Sequence, residues 1–232
     1  MPGREKSFFP LLIVTPTKPQ FQILLFDMDG TLIDSRQDLA SAVNYALRAV
    51  NKSELPLEEI VQYVGDGLKQ LLMKAMKSEN DGLLTRATKA FNNYYRDHCV
   101  DETVLYDGVK EAIEDLSSAA HIAVVTNKPK NFADIIVKKL DLNEHIHLVI
   151  GGDSCEEKKP HPAPLLNAIK ILGGVADSAL MIGDGLQDID AGRNAGVKTC
   201  VARYGYGFRP DVMDRGPTYV IDQFQQLKEI VL

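Results

Sequence analysis

Phe21-Gln22-Ile23-Leu24-Leu25-Phe26-Asp27-Met28-Asp29-Gly30-Thr31-Leu32-Ile33-Asp34-Ser35 decides how the chain folds. Its first part is an apolar run almost without polar alternation, the pattern of a strand covered on both faces inside a parallel sheet. The run stops at two carboxylates, Asp27 and Asp29, spaced i and i+2 and followed at once by a glycine turn. Ligands of open parallel sheets bind just beyond the carboxyl ends of the strands. Both acids therefore leave the strand together and point into one crevice.

Working outward, similar apolar runs recur at Ile122 to Val125, Ile146 to Ile150, Ala179 to Ile182, Thr199 to Ala202 and Tyr219 to Ile221. Helical patterns separate them at Val109 to Leu116, Phe132 to Leu140, Pro164 to Leu172 and Asp188 to Ala195. This alternation predicts an α/β fold with a parallel sheet of six strands covered by helices. Between about Asp38 and His98 the rhythm lapses into helix alone. Leu39, Val43, Leu47 and Val50 recur at helical spacing, as do Leu68, Leu71, Leu72 and Met76, with Pro56 and Gly65-Asp66-Gly67 as punctuation. The expected organisation is an N-terminal extension over 1–20, an α/β core over 21–36 and 103–232, and a small all-helical module over 37–102.

The chain has 232 residues, 45% of them hydrophobic and 25% charged, which suits a globular protein and excludes collagen-like or disordered classes. A formal net charge of −6 leaves no basic footprint for nucleic acid. No apolar run approaches the roughly 18 residues a membrane-spanning helix needs. Cys99, Cys155 and Cys200 form neither a CxxC pair nor a disulfide framework, so a reducing cytoplasm is expected. Arg4 and Lys6 ahead of Phe8 to Val14 imitate a short signal peptide. Pro10 interrupts that run, and Thr15 to Pro19 stands where a small-residue cleavage site belongs, so a floppy extension is the expectation.

Three further stretches sit at or near expected strand ends: Thr126-Asn127-Lys128-Pro129, Lys158-Lys159-Pro160-His161-Pro162 and Gly183-Asp184-Gly185-Leu186-Gln187-Asp188. Each has a plain local reading. An Asp-x-Asp-Gly run closes a turn or half of a calcium loop, although the downstream glutamate of such a loop is missing. Thr126-Asn127 caps a helix, Lys159 is a solvated lysine, and Asp184 with Asp188 sits near a helix start. Their order along successive strand ends favours one joint site. Clustered carboxylates hold a hard divalent cation, and magnesium (Mg2+) takes oxygen ligands while bridging to phosphate. A lysine and a threonine hydroxyl opposite them would hold the remaining phosphate oxygens.

In this arrangement the sequence resembles the haloacid dehalogenase (HAD) superfamily, and in particular its phosphatases with an aspartate nucleophile. The motifs that carry the likeness are Asp27-x-Asp29-Gly30-Thr31, Thr126, Lys159-Pro160 and Gly183-Asp184-x3-Asp188, from about Phe21 to the C-terminus. The resemblance implies a Rossmann-like parallel sheet core with the helical module as an inserted cap. It implies Asp27 as nucleophile forming an aspartyl-phosphate and Asp29 as general acid and base. It further implies magnesium held by Asp27, Asp184, Asp188 and the backbone carbonyl of Asp29, with Asp188 acting through a water or by orienting Lys159. Thr126 and Asn127 would bind the phosphoryl group, Thr31 would lie on the substrate side, and Lys159 would steady Asp27 and the phosphate. Asp29 also argues against dehalogenation, which needs no acid for a leaving alkoxide.

Beyond the motifs, Ile60 to Leu68, Lys159 to Pro164 and Ala202 to Gly207 are similar to phosphoglycolate phosphatases. Gly65 and Gly67 would permit close backbone approach to a small carboxylate substrate, or else merely turn between two helices. Gly185 departs from the family pattern, where serine or threonine commonly follows the metal-binding aspartate. The expected partner is a small phosphorylated metabolite, with no nucleic acid and no membrane, and monomer and homodimer are equally open. The alternatives on the same scaffold are a phosphosugar mutase of the beta-phosphoglucomutase kind, a pyrophosphatase or a nucleotidase.

Overall fold

The computed structural model describes residues 20–232; the expected extension over 1–20 lies outside the described residues except for Gln20. In chain order the elements are β1 (Ile23–Phe26), β2 (Ile33–Asp34), α1 (Arg36–Ala49), α2 (Leu57–Val61), α3 (Leu68–Met76), α4 (Asp81–His98), β3 (Val104–Leu105) and α5 (Val109–Ser117). There follow β4 (His121–Val125), α6 (Lys130–Lys139), β5 (Leu148–Ile150), α7 (Ala163–Ile171), β6 (Ala179–Gly183), α8 (Leu186–Asn194), β7 (Lys198–Ala202), β8 (Tyr219–Ile221) and α9 (Leu227–Val231).

The main sheet has six strands in the order β5-β4-β1-β6-β7-β8, all parallel. Every residue of β1 is buried, as its unbroken apolar run requires. Leu24 and Phe26 face one core with Ile113 of α5, Phe132 of α6 and Leu227 of α9. Ile23 and Leu25 face the other with Leu165 and Ile169 of α7 and Ala191 of α8. Burying each such side chain is worth about 1.5–3 kcal/mol, so the strand is anchored from both sides. The chain runs outward from β1 through β4 to β5, then returns to lay β6 against the other edge of β1. The strand order reverses there, which is where α/β sheets open a ligand crevice.

The strand expected over Ile146 to Ile150 begins only at Leu148. Ile146 instead closes a turn, its amide donating to the Leu142 carbonyl. The ribbon of β2 and β3, antiparallel and two residues per strand, was not legible. Period-two alternation has no length to register in so short a segment.

Helices α1 to α4 occupy the stretch between β2 and β3. α1 packs along α4, and both supply Leu39, Val43, Leu84 and Phe91 to the larger core. Asp38, buried at the start of α1, accepts from the backbone amides of Asp101, Glu102 and Thr103 and from the Thr103 hydroxyl. That carboxylate ties the beginning of the insert to its end. Gly65-Asp66-Gly67 turns the chain between α2 and α3, with Gly65 at φ +121° and Gly67 at φ +87°, backbone that side chains disfavour. Among the described residues no helix is long and apolar enough to cross a membrane.

Candidate active site

Asp27 directly follows β1, and its amide donates to the Ile182 carbonyl of β6, prolonging the strand pairing by one residue. Asp184 directly follows β6. The neighbouring strands thus deliver two carboxylates side by side, and the first turn of α8 brings in Asp188. Ligand oxygens of Asp27, Asp184 and Asp188 all lie within 4.8 Å of one another. Asp184 is wedged among backbone. A Cβ added to Gly30, which has φ +86°, would stand 1.9 Å from its Oδ2, and one on Gly205 would stand 2.4 Å from the same atom. Gly207 donates its amide to that oxygen at 2.6 Å.

The Lys159 ammonium joins the cluster, 2.8 Å from Asp27 Oδ1 and 2.6 Å from Asp188 Oδ1. Asp188 also accepts from the Gly185 amide at 3.0 Å. Burial alone would discharge the lysine, but Asp188 and Asp27 outweigh it and hold the ammonium above the usual lysine range. Burial pushes Asp27 up to about 6, the pull of Lys159 offsetting only part of the rise. Asp184 is driven well above the ordinary carboxylate range by burial and by the charges of Asp188 and Asp27. Three clustered acids that repel each other, with a single lysine ammonium among them, fit a divalent cation with oxygen ligands.

The Asp29 side chain stands apart from this cluster. It accepts from the Ser35 hydroxyl, which also contacts the Tyr206 hydroxyl at 3.1 Å. The Lys128 ammonium lies 2.9 Å from Asp29 Oδ1 and donates to the Tyr95 hydroxyl at 2.8 Å. Lys128 is buried; desolvation works against its charge, and Asp29 with Tyr95 more than offsets that, raising its pKa. The Ser35 and Lys128 contacts both fall on Oδ1, which turns the Asp29 side chain toward these two residues and leaves it outside the group of three carboxylates.

The remaining expected residues divide. Thr126 is buried beside the cavity, its hydroxyl accepting from the Lys128 amide at 3.2 Å. Asn127 also borders the cavity, yet its amide group donates to the carbonyls of Gly65 and Lys159, at 2.8 and 2.9 Å, and its Oδ1 accepts from the Lys159 amide. Its side chain thereby clamps two loops beside the cavity. Gly65 and Gly67 line the cavity together with Asp66, which accepts from Gln187 at 2.7 Å. Thr31 does not line it. The chain folds back there, the Thr31, Leu32 and Ile33 amides all turning to the Met28 carbonyl, and the Thr31 hydroxyl is buried with no partner among the described residues.

Sequence reasoning gave no role to Lys128, Tyr95, Ser35, Tyr206 or Gln187. Lys128 carried one signal, its place directly after Thr126-Asn127. Tyr206 lay within the stretch from Ala202 to Gly207 already noted for its likeness. Ser35 and Gln187 lay within the stretches quoted for the site, Ser35 six residues after Asp29, and Tyr95 reaches it only through tertiary packing.

Residues 24–202 match the family of haloacid dehalogenase-like hydrolases. The chain belongs to this family. A phosphoglycolate phosphatase of Colwellia psychrerythraea is 40% identical over 214 residues, spanning 89% of this chain and 95% of that protein. One from Psychrobacter arcticus is 37% identical over 220 residues, 91% of this chain and 96% of that protein. A crystal structure from Haemophilus somnus, described as a predicted phosphoglycolate phosphatase, superimposes with a TM-score of 0.86 at 30% identity, covering 91% of this chain and 98% of that one. This haloacid dehalogenase-like hydrolase is therefore an enzyme of the phosphatase class, and its six-stranded parallel sheet with covering helices is the family's α/β architecture.

Proposed function

We propose that this hydrolase cleaves small phosphate monoesters, 2-phosphoglycolate foremost, through an aspartyl-phosphate on Asp27. The observation that carries the reading is the Lys159 bridge between Asp27 and Asp188 beside Asp184. It fixes one carboxylate at a strand end with a cation against it, the setting in which a carboxylate can meet an anionic phosphorus. The names of the relatives support the choice of substrate.

In this reading Asp27 attacks phosphorus and Asp29, held by Ser35 and Lys128, protonates the leaving oxygen. Asp29 then takes a proton from the water that hydrolyses the aspartyl-phosphate. Lys159 holds Asp27 in line and neutralises charge gathering on the phosphoryl oxygens, and Thr126 borders the same end of the cavity. Asp27, Asp184, the backbone carbonyl of Asp29 and, more remotely, Asp188 would hold magnesium, which supplies charge neutralisation and orientation of the phosphate. Residues 37–102 serve as a cap, latched over the cavity by the Asn127–Gly65 and Gln187–Asp66 hydrogen bonds, and exclude water during turnover. Three free cysteines fit a reducing cytoplasm.

Phosphate release with magnesium present, from 2-phosphoglycolate beside pyrophosphate, a nucleoside monophosphate and glucose 1-phosphate, tests the proposal. A kcat/KM for 2-phosphoglycolate well above the others is expected. Equal rates across the panel would overturn the substrate assignment. Turnover of a sugar phosphate that depends on a bisphosphate activator and frees little phosphate would replace it with a mutase.

A further inference from the structure

The cavity has two unlike ends. At one stand Asp27, Asp184, Asp188 and Lys159. The other is walled by Phe91 and Phe132, which pack on the Tyr95 ring, and holds the buried ammonium of Lys128. That ammonium has three N–H donors, and among the described residues its side-chain partners are Asp29 and Tyr95. With Lys159 and the acidic cluster serving the phosphoryl group in the proposed reaction, the third donor is left for another part of the substrate. The Tyr95 ring, its centroid 4.8 Å from Nζ, backs the charge from the α4 side.

The relation to Asp29 sets what Lys128 can reach. In the proposed reaction Asp29 meets the ester oxygen of the substrate. The ammonium in contact with Asp29 then lies against the group attached one carbon beyond that oxygen. In a 2-phosphorylated short-chain acid this group is a carboxylate. A cation among apolar side chains favours an anionic group over a neutral one far more than it would in water, because little solvent screens it. We propose that Lys128 is the specificity-determining residue of this enzyme, receiving the carboxylate of a short phosphorylated acid while the Tyr95 hydroxyl holds the ammonium in place. The inference rests on the substrate class and acid role proposed above.

The probes are two inhibitors of p-nitrophenyl phosphate hydrolysis: 3-phosphonopropionate, which replaces the ester oxygen of 2-phosphoglycolate by methylene, and propylphosphonate, which lacks the carboxylate. They are compared on the full chain, on Lys128→Met and on Lys128→Gln, each checked by circular dichroism and a melting curve. The parent enzyme should bind the carboxylate compound roughly tenfold to a hundredfold more tightly, as a charge-assisted contact allows, and both variants should lose that advantage. Because the ratio of the two inhibitors is read, any general damage through Asp29 cancels. A ratio that survives in either folded variant, or is absent from the parent, overturns the role of Lys128. Turnover of 2-phosphoglycolate by the parent is measured alongside. If it is not hydrolysed, the substrate proposal fails on its own, and the inhibitor ratio still decides whether Lys128 reads a carboxylate.

Discussion

Asp188 and Lys159 meet at 2.6 Å across the carboxyl edge of the sheet, both side chains almost sealed from water. The pair works as a strut: Asp188 takes one donor of the ammonium and the Gly185 amide, leaving Lys159 aimed at Asp27. Asp188→Ala should therefore act through Lys159. We expect kcat to fall by roughly a hundredfold or more, the loss typical when one preorganised charge is released in a site of this kind. Lys159→Met should also lower the melting temperature of the metal-free protein, since it strands buried carboxylates without a cation. Steady-state kinetics and thermal unfolding check both.

Asp27→Asn keeps shape and removes both nucleophile and one of three repelling charges. Turnover should vanish, with no phosphoenzyme trapped on rapid quench, while the metal-free variant melts no lower than the parent. Near-parental rates would rule out Asp27 as the nucleophile.

Asp29→Asn should discriminate between leaving groups. An alkoxide needs a proton as it departs and nitrophenolate scarcely does, so the loss on 2-phosphoglycolate should exceed that on p-nitrophenyl phosphate by roughly tenfold or more. Equal losses would mean that Asp29 only positions Lys128 and Ser35.

Acid should weaken the metal site in a defined direction. Asp27, raised to about 6, and Asp184, raised well above its usual range, bind protons more tightly folded than unfolded. The contribution of Asp27 to stability therefore grows as pH falls through about 6 and turns unfavourable above it, where its carboxylate is ionised, and Asp184 acts in the same direction. Magnesium binds the ionised form. The rise in melting temperature on adding magnesium should thus be largest near neutrality and above, and fade as pH drops through about 6. Scanning calorimetry with and without magnesium across that range measures it.

Gln187 touches Asp66 of the helical insert while belonging to α8. Removing one latch, Gln187→Ala, should raise KM by roughly twofold to tenfold with little change in kcat, the worth of a single hydrogen bond. Amide exchange should quicken over Gly65 to Leu68.

The parallel sheet was legible because its strands are buried on both faces and so written as continuous apolar runs, Leu24 and Leu25 going to opposite cores. Asp27, Lys159, Asp184 and Asp188 were legible because each follows or precedes an element whose end is marked locally. Thr31 was misplaced, since the turn from Met28 to Ile33 that buries it is set by backbone hydrogen bonds no spacing announces. Lys128 and Tyr95 stand far apart in sequence, and their contact exists only once α4 lies over the end of β4. A buried lysine reads on paper like any surface lysine.

The β2–β3 ribbon carries a consequence for how such a molecule changes over generations. The insert leaves the core on one strand and re-enters on its hydrogen-bonded neighbour, with Asp38 fastening the two ends. A segment with doorways side by side can be lengthened, shortened or exchanged without rethreading the six strands behind it. The apolar walls that the insert lends the cavity, Leu39, Leu71 and Phe91, are therefore interchangeable furniture, while Lys128 and the carboxylates at the strand ends belong to the building.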